Sequence, residues 1–252
     1  MNLLELTKVL IVFCFLLYAC RLDLKSRTIP NKVWKFMLVA TIPITAYQVY
    51  EMAFLNAMML IFAAIGVIFM AVFAYVLYRI NAYGGADAKA LICLAIIFPF
   101  YPKIGAFPLI NSGFGIFAFS VLANSVIFAP LMMIALLIRN ILREGFRGFL
   151  KNPLYYIAGY RIPVEKIRFH NLFEFVDEKG KLRRVRRGIE PNEEIIHRLK
   201  KYGLKEIWVT PALPFIIFIT FGYACAVVIG DPIFYAVSHR SGLALTFIPL
   251  FS

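Results

Sequence analysis

Residues 53–89 read AFLNAMMLIFAAIGVIFMAVFAYVLYRINAYGGADAK. From Ala53 to Tyr78 there is no charged side chain; then come Arg79, the pair Gly84-Gly85, and Asp87. A run of about 26 apolar residues is roughly 39 Å long as a helix, against a hydrocarbon core of about 30 Å. It reads as a membrane-crossing helix that tilts or protrudes at one end. Asp87 therefore stands at the edge of an apolar span, where an ionisable group is costly and is a functional-site candidate by default.

The rest of the chain agrees with that class. Of 252 residues, 62% are apolar and only 16% charged, and the mean hydropathy is +0.79. These values exclude an ordinary soluble domain. Apolar stretches near the crossing length of about 20 residues occur at 4–22, 33–50, 53–78, 90–107, 114–138 and 211–230. The expected fold is an α-helical polytopic membrane protein of six transmembrane helices, with a small α+β cytoplasmic domain between helices 5 and 6. Its expected parts are 1–138 (helices 1–5), 139–209 (a basic cytoplasmic domain) and 210–252 (helix 6 and an apolar tail). The first span carries no small-x-small cleavage site before Arg21-Leu22-Asp23, so it reads as a retained helix rather than a signal peptide.

Charge gives the orientation. Arg21, Lys25, Arg27, Lys32 and Lys35 lie between spans one and two, Arg79 and Lys89 between three and four, and a long basic segment follows span five. The alternate side has Lys8, Lys103 and Arg240. The positive-inside rule places the basic loops in the cytoplasm and both termini outside, in the plasma membrane as a multi-pass protein. Nine of the 14 acidic residues fall in 139–209, leaving Glu5, Asp23, Glu51, Asp87 and Asp231. Glu5, Glu51 and Asp231 belong to the outer side by this topology, and Asp23 and Asp87 are left as a pair at the cytoplasmic edge. The plain alternative for each is a solvated loop carboxylate paired with a nearby Arg or Lys.

Their contexts argue for more. Gly84-Gly85-Ala86 places minimal side chains before Asp87, freeing the backbone to turn and letting a peptide or helix come close. After Asp23, Pro30 biases Ile29 away from helix and fixes a short loop at the interface before Asn31. The stretches Asp23-Leu-Lys-Ser-Arg-Thr-Ile-Pro-Asn31 and Gly84-Gly-Ala-Asp-Ala-Lys89 together resemble the prepilin and preflagellin peptidases, membrane aspartyl proteases of the Gly-x-Gly-Asp class. The likeness to the archaeal branch extends to Gly159-Tyr-Arg-Ile-Pro-Val-Glu-Lys166, Ile207-Trp-Val-Thr-Pro211 and Gly230-Asp231. One position departs: Ala86 stands where the motif has its second glycine. That is harmless if the position needs only to be small, and a defect if it needs a left-handed backbone.

The resemblance implies that Asp23 and Asp87 are catalytic, with Arg27, Pro30, Asn31, Gly84, Gly85, Ala86 and Lys89 shaping the site or meeting substrate. Two carboxylates sharing a site do not both ionise readily, so one keeps a proton while the other draws a proton from water that attacks the scissile carbonyl. No cofactor or metal is needed. His170, His197 and His239 are scattered and form no His-Glu-x-x-His. Cys14, Cys20, Cys93 and Cys225 lie in or beside apolar spans without Cys-x-x-Cys spacing and read as small core residues. Bacterial relatives that methylate carry a cysteine-rich insert after span one; about ten residues join the first two spans here, so cleavage without N-methylation is expected. The implied substrates are pilin-like or archaellin precursors with a short basic leader and an apolar helix, and the implied surroundings are a bilayer with anionic headgroups.

Segment 139–209 opens with a mixed basic and apolar run, 139–151, that reads as an interfacial helix. Strands are expected at 167–176 and 181–187 around the turn 177–180, a helix at 191–202 ended by Gly203, and a strand near 205–209. Its 17 Lys and Arg against nine acids fit a juxtamembrane position on anionic lipid, and no nucleic-acid motif accompanies them. Were it to meet a basic leader, Glu174, Asp177 and Glu178, or Glu190, Glu193 and Glu194, are the available acids; a solvated charged face is the simpler reading. Two other functions fit part of the pattern. A presenilin-like or signal-peptide-peptidase-like protease shares the Gly-x-Gly-Asp aspartate, and Pro211-Ala212-Leu213 matches its tripeptide, but Asp23 follows Leu22 early in the chain rather than a tyrosine late in it. A proton-coupled transporter predicts mid-membrane carboxylates on broken helices. Residues 232–252 contain Ser238-His239-Arg240-Ser241-Gly242 and are not expected to form a seventh span.

Overall fold

The computed structural model describes residues 3–80, 82–110, 115–167, 170–177, 179–211, 215–232 and 234–236. Glu178, Ala212, Leu213 and the tail from 237 onward, named above, lie outside the described residues. The helices are α1 (Leu3–Ser26), α2 (Asn31–Leu55), α3 (Ala57–Arg79), α4 (Gly85–Ile97), α5 (Phe117–Glu144), α6 (Phe146–Lys151), α7 (Pro153–Ala158), α8 (Glu193–Lys201) and α9 (Phe215–Val228); the strands are β1 (Tyr160–Pro163), β2 (His170–Val176), β3 (Leu182–Ile189) and β4 (Glu206–Pro211). The chain divides into two units, Met1–Phe128 with Pro214–Ser252, and Ala129–Leu213.

Helices α1, α2 and α3 of the first unit, and α5, within which the division at 128/129 falls, are long and apolar enough to cross a membrane; α9 is apolar but has 14 residues. Several ends differ from those expected, each for a local reason. The span expected over 53–78 starts later, because Asn56 caps α3: its side chain accepts the Met58 N–H at 3.0 Å, while its own N–H closes α2 on the Met52 carbonyl at 2.9 Å. Residues 53–55 therefore finish α2, and α3 has 23 residues, about 35 Å. The span expected over 90–107 is helical only to Ile97, since Pro99, Pro102 and Pro108 deny the helix its backbone donors. A short bridge between Ile104 and Phe107 follows instead. Helix α5 continues past the expected end at 138 and stops at Glu144, where Gly145 takes φ 81°, so the expected 139–151 helix comes in two pieces.

Helix α4 is the centre of this unit. Ala88, Ala90, Leu91, Leu94, Ala95 and Ile97 are all buried, as a helix apolar on every side should be when surrounded by others. Around it lie Leu16 of α1, Met37 of α2, Met70 and Ala74 of α3, Phe117 of α5 and Ile219 and Tyr223 of α9. Side chains turned away from this core are also apolar, among them Ile61, Phe62, Ile65 and Ile68 on α3, which is the pattern of helices that face lipid. Three charged groups expected on the outer side, Glu5, Lys8 and Asp231, are interior. Lys8 is only 2% exposed; it pairs with Glu5 at 3.2 Å, contacts Gln48 Oε1 and lies 4.7 Å from the centre of the Phe98 ring. Gln48 in turn donates to Glu5, so each charge has partners, without which burial would be prohibitive. Asp231 is likewise buried and accepts from Ser120 Oγ at 3.2 Å and the Phe234 N–H at 3.1 Å.

The second unit is a four-stranded antiparallel sheet in the order β1-β4-β2-β3. Alternation along β4 sorts its side chains between two faces. Ile207 and Val209 join Ile162, Leu172, Val176 and Leu199 of α8 on one side, while Trp208 joins Tyr155, Tyr156 and Phe173 on the other. The hairpin β2–β3, the helix before Gly203 and the return strand were expected. Strand β1 was not, because Tyr160-Arg-Ile-Pro163 is short and ends in proline, which a sheet accepts at its edge. Two of the acids considered for a leader contact are committed internally. Glu174 accepts from Arg184 at 2.9 Å and the Trp208 N–H at 3.3 Å. Asp177 accepts the N–H groups of Lys179 and Lys181 at 3.0 and 2.8 Å and pairs with Arg183.

Candidate active site

The buried face of α1 passes through Val9, Val12, Leu16 and Ala19, at spacings of three and four that keep one side of a helix. The next step of four lands on Asp23. The aspartate thus continues the stripe that faces the bundle, half-buried in the last turns of α1. Three residues after it the helix ends, and Arg27 takes φ 57° with its N–H on the Asp23 carbonyl at 2.9 Å. This left-handed closure is usually made by glycine; an L side chain adopts it at a cost of about 1 to 2 kcal/mol. The closure holds the Arg27 guanidinium within electrostatic reach of the Asp23 carboxylate.

Asp87 lies in the first turn of α4 and is 8% exposed. Its Oδ2 accepts the Gly84 N–H at 3.1 Å, satisfying one donor of the helix start and placing negative charge at the positive end of the helix dipole. The glycines are not there for unusual backbone angles, contrary to the reading of a freely turning segment: Gly84 has φ −70°. At Gly84 the need is space. A Cβ on Gly84 would stand 3.0 Å from Asp87 Oδ2, and one on Gly85 would stand 3.4 Å from the Tyr78 ring. Ala86 is helical, within α4, so a methyl there costs the backbone nothing.

The two carboxylates are brought within electrostatic reach of each other. The flanking motif residues are tied together as well. Pro30 occupies the N-cap position of α2 with its carbonyl on the Val33 N–H at 3.0 Å, and Asn31 Oδ1 accepts from Lys89 Nζ at 2.8 Å. The loop after Asp23 is thereby linked to the second turn of the helix that carries Asp87. Among the described residues no three His, Cys, Asp or Glu side chains gather as a metal-binding group.

Sequence reasoning missed the groups that α9 and the residue before the glycines bring to this site. Tyr83 is half-buried, packs its ring 4.4 Å from that of Phe215, and has its hydroxyl within electrostatic reach of Asp87. Cys20, three residues before Asp23, lies 3.1 Å from Thr220 Oγ1 and 3.6 Å from the Ile216 carbonyl. Only Tyr83 carried a local signal, its position directly ahead of Gly84; the approach of α9 is a tertiary event.

A family model described as the type IV leader peptidase family matches residues 10–138, which holds both aspartates. The chain belongs to the type IV leader peptidase family. It is therefore a protease, and its apolar helices make it a membrane protein. A second model, the archaeal peptidase A24 C-terminus type II, matches residues 151–232. Curated relatives named preflagellin peptidase are similar over nearly the whole chain. That of Methanocaldococcus jannaschii is 29% identical, covering 86% of this chain and 92% of its own. Those of Methanococcus voltae and Methanococcus maripaludis are 27% and 26% identical, covering 86% and 84% of this chain and 93% and 90% of theirs. In this leader peptidase family member the matched region ends inside α5, and the C-terminal match takes in the four strands, α8 and α9.

Proposed function

We propose that this protein is an aspartyl endopeptidase that removes the short basic leader from archaellin or pilin-like precursors at the cytoplasmic membrane face, without methylating the new N-terminus. The observation that supports the reading is that Asp23 at the end of α1 and Asp87 at the start of α4 lie within electrostatic reach of each other, in a chain of the leader peptidase family whose similar relatives are named preflagellin peptidase.

The chemistry follows from the pair. One carboxyl stays protonated and donates to the scissile carbonyl oxygen, while the ionised partner takes a proton from a water that adds to the carbonyl carbon. The tetrahedral intermediate collapses as the C–N bond breaks and the leaving amine gains a proton. The dyad works as a unit, so neither aspartate is assigned permanently as base. Arg27, Pro30, Asn31 and Lys89 hold the two segments in register, Gly84 leaves room beside the Asp87 carboxylate, and Gly85 and Ala86 open α4 with small residues.

The membrane reading uses α1–α5 and α9 as six spans, with residues 1–138 as the catalytic membrane part, 139–209 as a cytoplasmic domain and 210–252 as the last span and tail. Cation-rich loops between alternate spans favour an active site on the cytoplasmic side and both termini outside. A substrate leader kept in the cytoplasm by its positive charge would meet the enzyme at that edge. Anionic headgroups suit the start of 139–209, where Leu142, Phe146 and Leu150 are exposed beside Arg147 and Lys151.

The test is conversion of an epitope-tagged archaellin precursor by membranes containing this protein, with the product's mass measured. The reading requires cleavage at the junction of leader and apolar helix and an unmodified amine. An uncut precursor, or proton flux into protein-loaded vesicles without cleavage, would contradict it.

A further inference from the structure

We propose that Tyr83 is a third catalytic residue, whose hydroxyl donates a hydrogen bond to the scissile carbonyl oxygen as that oxygen gains negative charge. The inference rests on the aspartyl reading above and extends it to a group that neither motif contains.

Position is the first argument. Tyr83 directly precedes Gly84, whose N–H holds Asp87 Oδ2, and its ring is fixed 4.4 Å from that of Phe215 at the start of α9. That end of α9 is itself tied to α1 beside the other aspartate, through Cys20 Sγ on Thr220 Oγ1 at 3.1 Å and on the Ile216 carbonyl at 3.6 Å. Phe215 is thus a buttress anchored next to Asp23 that presses on a tyrosine next to Asp87.

Chemistry is the second. The hydroxyl lies within electrostatic reach of the Asp87 carboxylate, yet among the described residues it makes no hydrogen bond to protein, while the tyrosines at 101 and 223 spend theirs on main-chain carbonyls at 2.9 and 3.0 Å. A phenol held half-buried beside a carboxylate pair, with its donor free, suits an acceptor that arrives with the substrate. In the reaction it keeps its proton: water oxygen bonds to carbon, the C–N bond breaks, protons move through the aspartates, and Tyr83 only stabilises the oxyanion from a preorganised direction.

The experiment compares wild type, Tyr83→Phe, Tyr83→Ala and Phe215→Leu in proteoliposomes, with kcat and KM for a precursor and the pH profile of each. Tyr83→Phe keeps the ring and its packing, so insertion and thermal unfolding should match wild type. Its kcat should fall roughly a hundredfold to a thousandfold at a KM within about twofold, with an unshifted pH profile. Tyr83→Ala should lose kcat similarly and raise KM, and Phe215→Leu should lower kcat less than Tyr83→Phe does. Wild-type kinetics in Tyr83→Phe would overturn the proposal. So would a loss that appears only as a displaced pH profile, since the hydroxyl would then be acting through Asp87. Parallel Asp23→Asn and Asp87→Asn samples separate the two claims: inactive aspartate variants beside a fully active Tyr83→Phe end this inference alone, whereas active aspartate variants end the dyad reading beneath it.

Discussion

Replacing Gly84 by alanine should slow cleavage by about sixfold, and replacing Gly85 should do almost nothing. Both positions accept a side chain as far as the backbone is concerned, because Gly84 has φ −70° and Gly85 begins α4, so the difference must come from what the new methyl meets. At 84 it would stand 3.0 Å from Asp87 Oδ2; at 85 it would stand 3.4 Å from the edge of Tyr78, an ordinary contact. Reaching ordinary contact at 84 requires the Asp87 carboxylate to withdraw by a few tenths of an ångström. It is buried and bonded to the Gly84 N–H at 3.1 Å, so it moves off its reactive position rather than into solvent. A misplacement of about 1 Å at a reacting group costs on the order of a hundredfold, and about 0.4 Å scales to roughly sixfold. Single-turnover cleavage of a saturating precursor reads this, with thermal unfolding as the control for folding. Equal rates for Gly84→Ala and Gly85→Ala would refute the reasoning, because the steric account requires the two to differ.

Lys8→Met should destabilise the protein by about 3 kcal/mol by leaving Glu5 buried with only Gln48, whereas Glu5→Gln with Lys8→Met should come within about 1 kcal/mol of wild type; reversible unfolding in mixed micelles measures both. Lys89→Met removes one exposed bond to Asn31, worth no more than about 1 kcal/mol, so cleavage should drop by at most about fivefold, and a larger drop in kcat would mean that Lys89 meets the reacting groups itself. In the sheet unit, the Lys181 N–H and the Arg183 side chain are the leading influences that hold the Asp177 carboxyl below its usual 3.8. A depressed carboxyl stabilises the fold above its ordinary value and loses that contribution as pH falls through the folded one. Hydrogen exchange over residues 170–189 of the whole chain should therefore show Asp177→Asn less protected at neutral pH, with the gap closing well below pH 3.8.

Much of the bundle was legible because lipid-crossing helices announce themselves by composition. The inward direction of Asp23 was not legible in advance: the three- and four-residue spacing from Val9 through Val12, Leu16 and Ala19 to Asp23 stands in the sequence, but in a span apolar on all sides only burial singles it out. The ends of helices were harder. Asn56 sits between residues as apolar as the helices they belong to, so hydropathy ran 53–78 together, and only its capping bond marks the boundary. The stop at Ile97 was signalled by Pro99, Pro102 and Pro108, a breaker pattern that outweighs continued hydropathy. Lys8 and Glu5 look like end-of-span charges in one dimension; their burial depends on Gln48, 40 residues from Lys8 in the chain. The same holds for the site. Each aspartate motif is local and can be read, while the placement of Phe215 on Tyr83 and of Thr220 on Cys20 brings together segments more than a hundred residues apart, and no local pattern encodes that.

The central claim is that Asp23 and Asp87 act as one catalytic pair, and the most direct measurement is cleavage of a tagged precursor by wild type, Asp23→Asn and Asp87→Asn in membranes with insertion verified. The account predicts that each substitution alone abolishes the shorter product while the protein remains inserted and folded. Normal cleavage by either variant would contradict it.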